Sequence, residues 1–234
     1  MEKTSGRDFT AVALAGPGSG PLEVYGMLNQ PHPRNKVDWE QYQALDPEGK
    51  RYELIDGELH EMASAPRIIH QELLGAFYVE MVLALKRKPC KVFLAPCDVK
   101  LSNWDVVQPD LLVVCKRDQL LVTHVEGPPQ IAVEILSPSS IRHDRIRKLR
   151  QYAKFQIPEY WIVAPDPAMV EVLLLDGETY RTVGSYYPTS GRLRSPSIPD
   201  LDLDLAALFE PAGPGPADEV REVSPEYLAT LLTR

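Results

Sequence analysis

Hydrophobic residues along the chain follow patterns that predict a succession of helices and strands. In residues 68–86, apolar side chains recur about every fourth position, which predicts an amphipathic helix of about five turns. Strands are predicted at residues 92–95 with a continuation through 99–101, at residues 110–115 and at residues 131–136. The last two are nearly continuous apolar runs, which is typical of strands covered on both faces.

Two Asp-Gly pairs each separate two strand-like runs. Asp56-Gly57 lies between residues 51–55 and 58–62, and Asp176-Gly177 lies between residues 170–174 and 178–183. Asp-Gly between such runs is a strong short-range signal for a β-hairpin, because both residues tolerate a positive φ. We therefore expect one hairpin near each end of the fold.

Three further segments complete the predicted order. Residues 38–45 predict a short helix. Residues 137–140 have the composition of a loop with a helix N-cap, so residues 141–155 predict a helix, which Pro158 prevents from continuing. Residues 160–163 predict a strand. The order of helix, three strands, helix and strand indicates a mixed α/β fold with added hairpins.

Length and composition predict one domain with tails. The chain has 234 residues, of which 44% are hydrophobic, enough to bury one sizeable core. Residues 1–36 contain Gly, Pro and Ser without a sustained period and predict a flexible leader. Residues 37–210 are expected to form the domain, and residues 211–234 a linker with a short terminal helix.

The sequence indicates a soluble cytoplasmic protein. The apolar stretch near the N-terminus is interrupted by glycines and Pro17, so it lacks a signal-peptide core, and no run approaches the roughly 18 apolar residues of a membrane span. Cys90, Cys97 and Cys115 form no CxxC pair and have no histidine at ligand spacing. We expect neither a zinc site nor a disulfide, and interpret all three as reduced thiols.

Net charge limits the surface that can contact nucleic acid. The charge of -8 and the pI of about 5.2 have the wrong sign for a protein whose whole surface follows phosphates. Bases are concentrated locally, however, with six between Arg142 and Lys154 against the single acid Asp144, and a second group in residues 86–91. Solvated helix faces are the simpler interpretation of both groups.

Two acidic residues lie in predicted buried strands. Asp110 follows Pro109 at the start of one strand, and Glu134 lies among apolar residues in the next. A carboxylate is costly to bury unless it is paired, hydrogen-bonded or bound to a metal. Two carboxylates from adjacent strands are suitable ligands for Mg²⁺ or Mn²⁺. The alternative for Glu134 is a structural ion pair with Arg145 or Arg147 of the following helix.

Six short motifs in order resemble the putative restriction endonuclease family over about residues 37–210. The motifs are Tyr52-Glu53-Leu54-Ile55-Asp56-Gly57-Glu58-Leu59, His70-Gln71, Gln108-Pro109-Asp110-Leu111, Val133-Glu134-Ile135-Leu136-Ser137-Pro138-Ser139, Asp144 with Lys148 and Tyr152, and Pro158-Glu159-Tyr160-Trp161. The resemblance implies the restriction-endonuclease-like fold, a mixed β-sheet flanked by helices with an α-β-β-β-α-β core. This is the order that the hydrophobic pattern predicts.

The resemblance also implies site residues. Asp110 takes the place of the aspartate in the superfamily motif PD…(D/E)xK, and Glu134 that of the second acid. The motif lysine is replaced by Leu136, so Lys148 on the following helix is the candidate substitute. The alternative for Lys148 is a surface pair with Asp144, four residues earlier on the same helix face.

Acids of the first hairpin lie near the site in the family. Glu58, or with lower preference Glu53, is therefore a candidate to complete the ligand set, and exposed hairpin carboxylates are the alternative. His70, at the start of the long helix, is a candidate base or phosphate contact, although a lone histidine more often caps or packs.

The expected activity is Mg²⁺- or Mn²⁺-dependent hydrolysis of phosphodiester bonds in DNA. One alternative is an inactive nuclease fold that binds nucleic acid or protein, which the displaced lysine and the acidic charge favour. Another is a structural partner in a homodimer, which an exposed edge at the apolar hairpin around residues 170–175 would support.

Overall fold

The computed structural model of the chain describes residues 36–45, 50–62, 67–138, 140–141 and 143–210. The leader expected before residue 36 and the linker and helix expected after residue 210 lie outside these residues. The helices are α1 (Trp39–Gln43), α2 (Ile68–Ala84), α3 (a π-helical turn at His143–Lys148 continued by an α-helix at Leu149–Lys154) and α4 (Leu205–Phe209). The strands are β1 (Tyr52–Ile55), β2 (Glu58–Glu61), β3 (Lys91–Leu94), β4 (Val99–Ser102), β5 (Asp105–Val107), β6 (Leu111–Val114), β7 (Val125–Glu126), β8 (Ile131–Ile135), β9 (Glu159–Ala164), β10 (Met169–Asp176), β11 (Thr179–Tyr186), β12 (Arg192–Arg194) and β13 (Asp202–Asp204).

The main sheet has six strands in the order β11-β10-β9-β8-β6-β3. Strands β8 and β9 are parallel and are joined through α3, whereas the other neighbours are antiparallel. In chain order α2, β3, β6, β8, α3 and β9 form the α-β-β-β-α-β core, so the expected fold class is confirmed. Strand β10 lies between β9 and β11, so the hairpin around residues 170–175 reaches the edge of the sheet through β11 and not through β10.

Alternating residues of the buried strands supply two hydrophobic cores on opposite faces of the main sheet. One core includes Leu111 and Trp161 and packs against α2, α4 and the β12–β13 pair. The other includes Leu112 and Tyr160 and packs against α3 and the second sheet. Burial on both faces explains why β6 and β8 are nearly continuous apolar runs.

The second sheet has five strands in the order β2-β1-β5-β4-β7. Its β1–β2 hairpin is the one predicted at Asp56-Gly57, where φ is 50° and 78°. The expected continuation of β3 into residues 99–101 is wrong, because β4 pairs with β5 in this sheet rather than extending the main sheet. The chain leaves the main sheet at Pro96, which has no N–H to donate to a strand ladder.

The cysteines differ from expectation. Cys90 and Cys115 form a disulfide, and only Cys97 is free. The two bonded residues directly flank the paired residues Lys91 and Val114 of β3 and β6, which brings them together although 25 positions separate them. The expectation of three reduced thiols is therefore wrong, because strand pairing and not sequence spacing sets the contact.

Helix α2 shows the predicted stripe, with Leu73, Phe77 and Met81 buried against the main sheet. Helix α3 covers the predicted segment, but its first turn is π-helical. Within the described residues, no helix is long and apolar enough to span a membrane.

Candidate functional site

Asp110 and Glu134 lie opposite one another on adjacent strands. Leu111 of β6 pairs with Val133 of β8 in an antiparallel register, and one step further along this register Asp110 faces Glu134. Directly opposed residues of an antiparallel pair point to the same face. Both carboxylates therefore turn toward the face that α3 covers.

Glu134 is held by α3. Its Oε1 atom accepts hydrogen bonds from Nζ of Lys148 at 2.8 Å and from the hydroxyl of Tyr152 at 2.6 Å. The alternative pairing of Glu134 with a helix arginine does not occur, because Arg145 binds Glu171 and Arg147 binds His60. The cation beside Glu134 is therefore the lysine that the family resemblance nominates.

Lys148 also binds a second buried acid, Glu53 of β1. Nζ of Lys148 lies 3.2 Å from Oε1 of Glu53, and Asp144 is more distant at 3.9 Å. Lys148 and Asp144 are only 3% and 2% exposed, so the alternative of a surface pair does not apply. The carboxylate of Glu53 also accepts hydrogen bonds from the backbone N–H of Gln108 at 2.8 Å and from Nε2 of His143 at 2.9 Å.

The cluster formed by Glu53, Asp110, Glu134, Asp144 and Lys148 contains more acids than cations, and the pKa values of Glu134 and Glu53 reflect how far each charge is compensated. Burial raises the pKa of Glu134 well above its usual value; Lys148 opposes the rise, and Asp110 and other acids add to it. Burial would also raise the pKa of Glu53, but Lys148 and the hydrogen bonds from His143 and Gln108 lower it to about 2. Glu134 is therefore the acid whose charge is least compensated.

The ammonium group of Lys148 responds in the opposite direction. Burial would lower the pKa of Lys148, but Glu134, Glu53 and Asp144 raise it well above its usual value. Lys148 therefore remains charged and holds the two glutamates together.

Asp110 is fixed by groups on both sides. Its Oδ2 atom accepts a hydrogen bond from the backbone N–H of Ile135 at 2.8 Å and lies 3.1 Å from Nε2 of His70. Burial would lower the pKa of His70, but the hydrogen bond and charge of Asp110 raise it overall. Nδ1 of His70 is buried and has no hydrogen-bond partner in the described part of the chain. His70 therefore orients Asp110.

The cluster borders a cavity of about 520 Å³. The side chains that line it include the acids and Lys148, together with two exposed arginines and a half-buried histidine. These residues are Glu53, Asp110, Glu134, Asp144 and Lys148, with Arg51, His60 and Arg67. The exposed Arg51 and Arg67 provide positive charge beside the cavity, which the exposed Glu61 partly offsets.

The structure places Glu58 differently from Glu53. Glu58 is exposed on β2 and is not among the residues that line the cavity, whereas Glu53 is 1% exposed and binds Lys148. Glu53, and not Glu58 as expected, is therefore the preferred hairpin acid at the site. An acid flanked by Tyr52, Leu54 and Ile55 carries the same signal that identified Glu134. Glu58 is paired with Ile55 and so shares the face of Glu53, but it lies on the edge strand β2 next to the turn, where it is exposed.

His143 and Tyr152 are further site residues to which the sequence gave no role. His143 belongs to the π-helical turn and binds Glu53, and Tyr152 lies one turn beyond Lys148 and binds Glu134. A wider π-turn changes which residues of a helix face inward. The hydrophobic pattern contains no signal for such a turn.

The donor set suits a hard divalent cation that keeps several water ligands. In the described residues, Oδ1 of Asp110 and Oε2 of Glu134 accept no hydrogen bond, and both residues line the cavity. No group of three or more His, Cys, Asp or Glu side chains in these residues is arranged as a ready metal site. Mg²⁺ is commonly held by one or two carboxylates plus water, so two free carboxylate oxygens fit it.

Comparisons with known proteins agree with this architecture. The family model Uma2, described as "Putative restriction endonuclease", matches residues 39–206. A crystal structure of a putative nuclease belonging to DUF820 from Anabaena variabilis is similar to the chain, with a TM-score of 0.62 and 16% identity over 74% of this chain and 98% of that one. At this identity the likeness shows the fold alone. No curated protein matches the chain.

Proposed function

The chain belongs to the putative restriction endonuclease family, and on this premise we propose that it is a Mg²⁺- or Mn²⁺-dependent endonuclease that hydrolyses phosphodiester bonds of DNA. One observation carries the proposal. Asp110 and Glu134 face one another beside a cavity, and each keeps one carboxylate oxygen without a hydrogen-bond partner in the described residues.

Asp110 and Glu134 would hold the metal. When bound, a divalent ion lowers the pKa of a water molecule and neutralises charge on the scissile phosphate. His70 and the backbone N–H of Ile135 bind Oδ2 of Asp110, which leaves Oδ1 for the metal. Lys148 and Tyr152 do the same for Glu134 through its Oε1 atom.

Lys148 would serve in place of the missing motif lysine. It lines the cavity together with Asp110 and Glu134, so its ammonium group can stabilise charge on a phosphate that enters. Glu53 binds Lys148 and is itself held by His143, so both are positioning residues. We assign Glu58 no part in catalysis because it is exposed on the edge strand β2 and is not among the residues that line the cavity.

Approach of the substrate would depend on local charge. The chain carries a net charge of -8, but Arg51 and Arg67 line the cavity. The basic residues of α3 contribute less than their number suggests, since Arg145 pairs with Glu171 and Lys154 with Asp56. Binding of DNA would therefore be confined to the cavity rim and would weaken with salt.

The test is incubation of the purified protein with supercoiled plasmid and Mg²⁺ or Mn²⁺, beside Asp110→Ala and Glu134→Ala. We expect nicking by the parent protein and none by either variant. Glu58→Ala is the matched control, since it removes an exposed acid outside the cavity and should nick at the parent rate. Equal nicking by the two site variants would refute the proposal.

A non-cutting nuclease fold that binds nucleic acid is the second candidate. It is favoured by the absence of a ready metal site in the described residues and by the direct pairing of Lys148 with Glu134. A gel-shift measurement on the same preparations separates the two functions. Plasmid binding without nicking at any Mg²⁺ or Mn²⁺ concentration would support this candidate over the endonuclease.

A cytoplasmic location is part of the same proposal, because DNA is the substrate. The Cys90–Cys115 disulfide counts against this location, because disulfides are uncommon in reducing compartments such as the cytoplasm. Fractionation of the cells that make the protein tests the location. Recovery outside the cytoplasmic fraction would contradict it.

A further inference from the structure

The outer surface of α2 is an apolar face that nothing in the described residues covers. We call it the α2 outer face, and its members are Ile68, Ile69, Glu72, Gly75, Val79, Val82 and Leu83. Ile68, Val79 and Leu83 are 79%, 51% and 56% exposed, although the opposite side of the same helix is buried in the core. A patch of this kind on a soluble domain marks a contact surface.

Gly75 lies in the middle of this face and has no function within the described fold. Glycine is, after proline, the least favourable residue in a helix interior. A Cβ atom added at Gly75 would meet nothing within 4 Å, so the packing of this chain does not require the glycine. A glycine does permit another backbone to approach closely.

The spacing of the outer face is that of a helix-pairing seam. Positions 68, 72, 75, 79 and 82 alternate steps of four and three residues, which is the spacing that keeps one side of a helix facing a partner helix, and Lys86 follows at the next step, just beyond the end of the helix. In an antiparallel pair of identical helices, this seam is self-complementary about a centre at residue 77. Gly75, the smallest residue of the helix, then lies where the two helices cross.

We propose that the α2 outer face is the two-fold interface between two copies of this chain, with the α2 helices antiparallel. The crossing places Gly75 of each copy opposite Val79 of the other, and position 72 opposite Val82. The homodimer that the sequence left open thus acquires a specific surface. The proposal does not depend on the nuclease function.

The charges of the helix choose the antiparallel direction and a second copy as the occupant. Glu72 lies in the N-terminal half of α2, and Lys86 and Arg87 follow its C-terminal end. In the antiparallel pair Glu72 of one copy comes within about one helical turn of Lys86 of the other. A parallel pair would instead place Glu72 beside Glu72.

Sedimentation of the full chain across a hundredfold range of concentration tests the interface. We expect a dimer for the parent protein and a dimer weakened at least a hundredfold in Val79→Glu, with unchanged circular dichroism. Val122→Glu is the matched control, because Val122 is an exposed valine outside α2. A monomeric parent, or a dimer that Val79→Glu leaves intact, would overturn the proposal.

Two further variants keep the test independent of folding defects. Gly75→Leu should raise the melting temperature at low concentration, because it replaces a helix glycine, and should weaken the dimer at least tenfold by blocking close approach. Glu72→Lys should weaken the dimer, and the added change Lys86→Glu should restore it. Tighter association in Gly75→Leu, or no restoration in the double variant, would contradict the antiparallel pairing.

Discussion

Two buried glutamates on neighbouring strands of the main sheet have opposite surroundings. Glu134 on β8 is 2% exposed and Glu159 on β9 is fully buried. In the parallel register Glu159 aligns with Ile131 and Glu134 with Ile162, so the two acids lie toward opposite ends of the strand pair. Equal burial therefore does not mean equal partners.

Glu159 is satisfied entirely by neutral donors. Its Oε1 atom accepts from Nε1 of Trp161 at 2.5 Å, and its Oε2 atom accepts from Ser195 Oγ at 2.7 Å and from the N–H and hydroxyl of Ser197. These bonds fasten the segment between β12 and β13 to the main sheet. Glu159 is not among the residues that line the cavity beside Glu134.

Glu134 has one cation, several acidic neighbours and a cavity beside it. The difference teaches that burial of an acid is weak evidence for function. An acid that keeps an unpartnered oxygen beside open space and excess negative charge is a better candidate. The predictions that follow test this distinction, in order of expected effect.

The largest effect should come from Glu134→Gln. We expect the nicking rate to fall at least about 1000-fold, about 4 kcal/mol in the barrier, because the amide cannot replace a charged metal ligand. Stability should not fall. The raised pKa of Glu134 means that the folded protein binds more protons than the unfolded one, so stability falls as pH rises above 4.5, and glutamine removes this loss.

Nicking assays and denaturant unfolding at several pH values measure these two effects on the same samples. A variant that retains nicking, or that unfolds more easily than the parent at pH 8, would contradict the functional reading of Glu134.

Glu53 should give the acid dependence of stability. Its folded pKa of about 2 lies below the usual 4.5, so its stabilising contribution is present above pH 4.5 and is lost as pH falls toward 2. The difference in unfolding free energy between parent and Glu53→Gln should be on the order of 3 kcal/mol at pH 7 and should shrink in that window. A difference independent of pH would exclude an ionised Glu53 bound to Lys148.

Glu159→Gln should affect stability alone. Its amide turns at least one donor toward Trp161, Ser195 or Ser197, which are themselves donors, so we expect a loss of about 2 kcal/mol. The nicking rate per folded molecule should equal that of the parent. Urea unfolding and nicking measure the two properties, and a loss of activity without a loss of stability would remove the contrast with Glu134.

Glu58→Gln should have the smallest effect. Because Glu58 is exposed, we expect a stability change within about 0.5 kcal/mol and an unchanged nicking rate. Thermal unfolding and the plasmid assay measure both, and a tenfold loss of nicking would restore Glu58 to the candidate ligand set.

Local sequence patterns predicted much of the fold. The helix α2 and the two Asp-Gly hairpins follow from periodicity and turn chemistry within a few residues. The division between β3 and β4 and the Cys90–Cys115 bond depend instead on which distant strands pair. A local pattern contains no information on such pairings.

The candidate site shows the same limit. Asp110 and Glu134 were identifiable because a charged residue in an apolar strand needs a partner. The burial of Lys148 and Asp144 could not be identified from the sequence. A spacing of four residues in an α-helix predicts an exposed pair, whereas the π-turn at His143–Lys148 turns both side chains inward. Whether these residues act in catalysis stays a prediction.

Calorimetric titration with Mn²⁺ tests most directly whether Asp110 and Glu134 share one cation. The parent protein, Glu58→Gln and Glu159→Gln should each bind one ion, whereas Asp110→Asn and Glu134→Gln should lose this binding. Absence of binding in the parent, or equal affinity in Asp110→Asn and Glu134→Gln, would contradict the account.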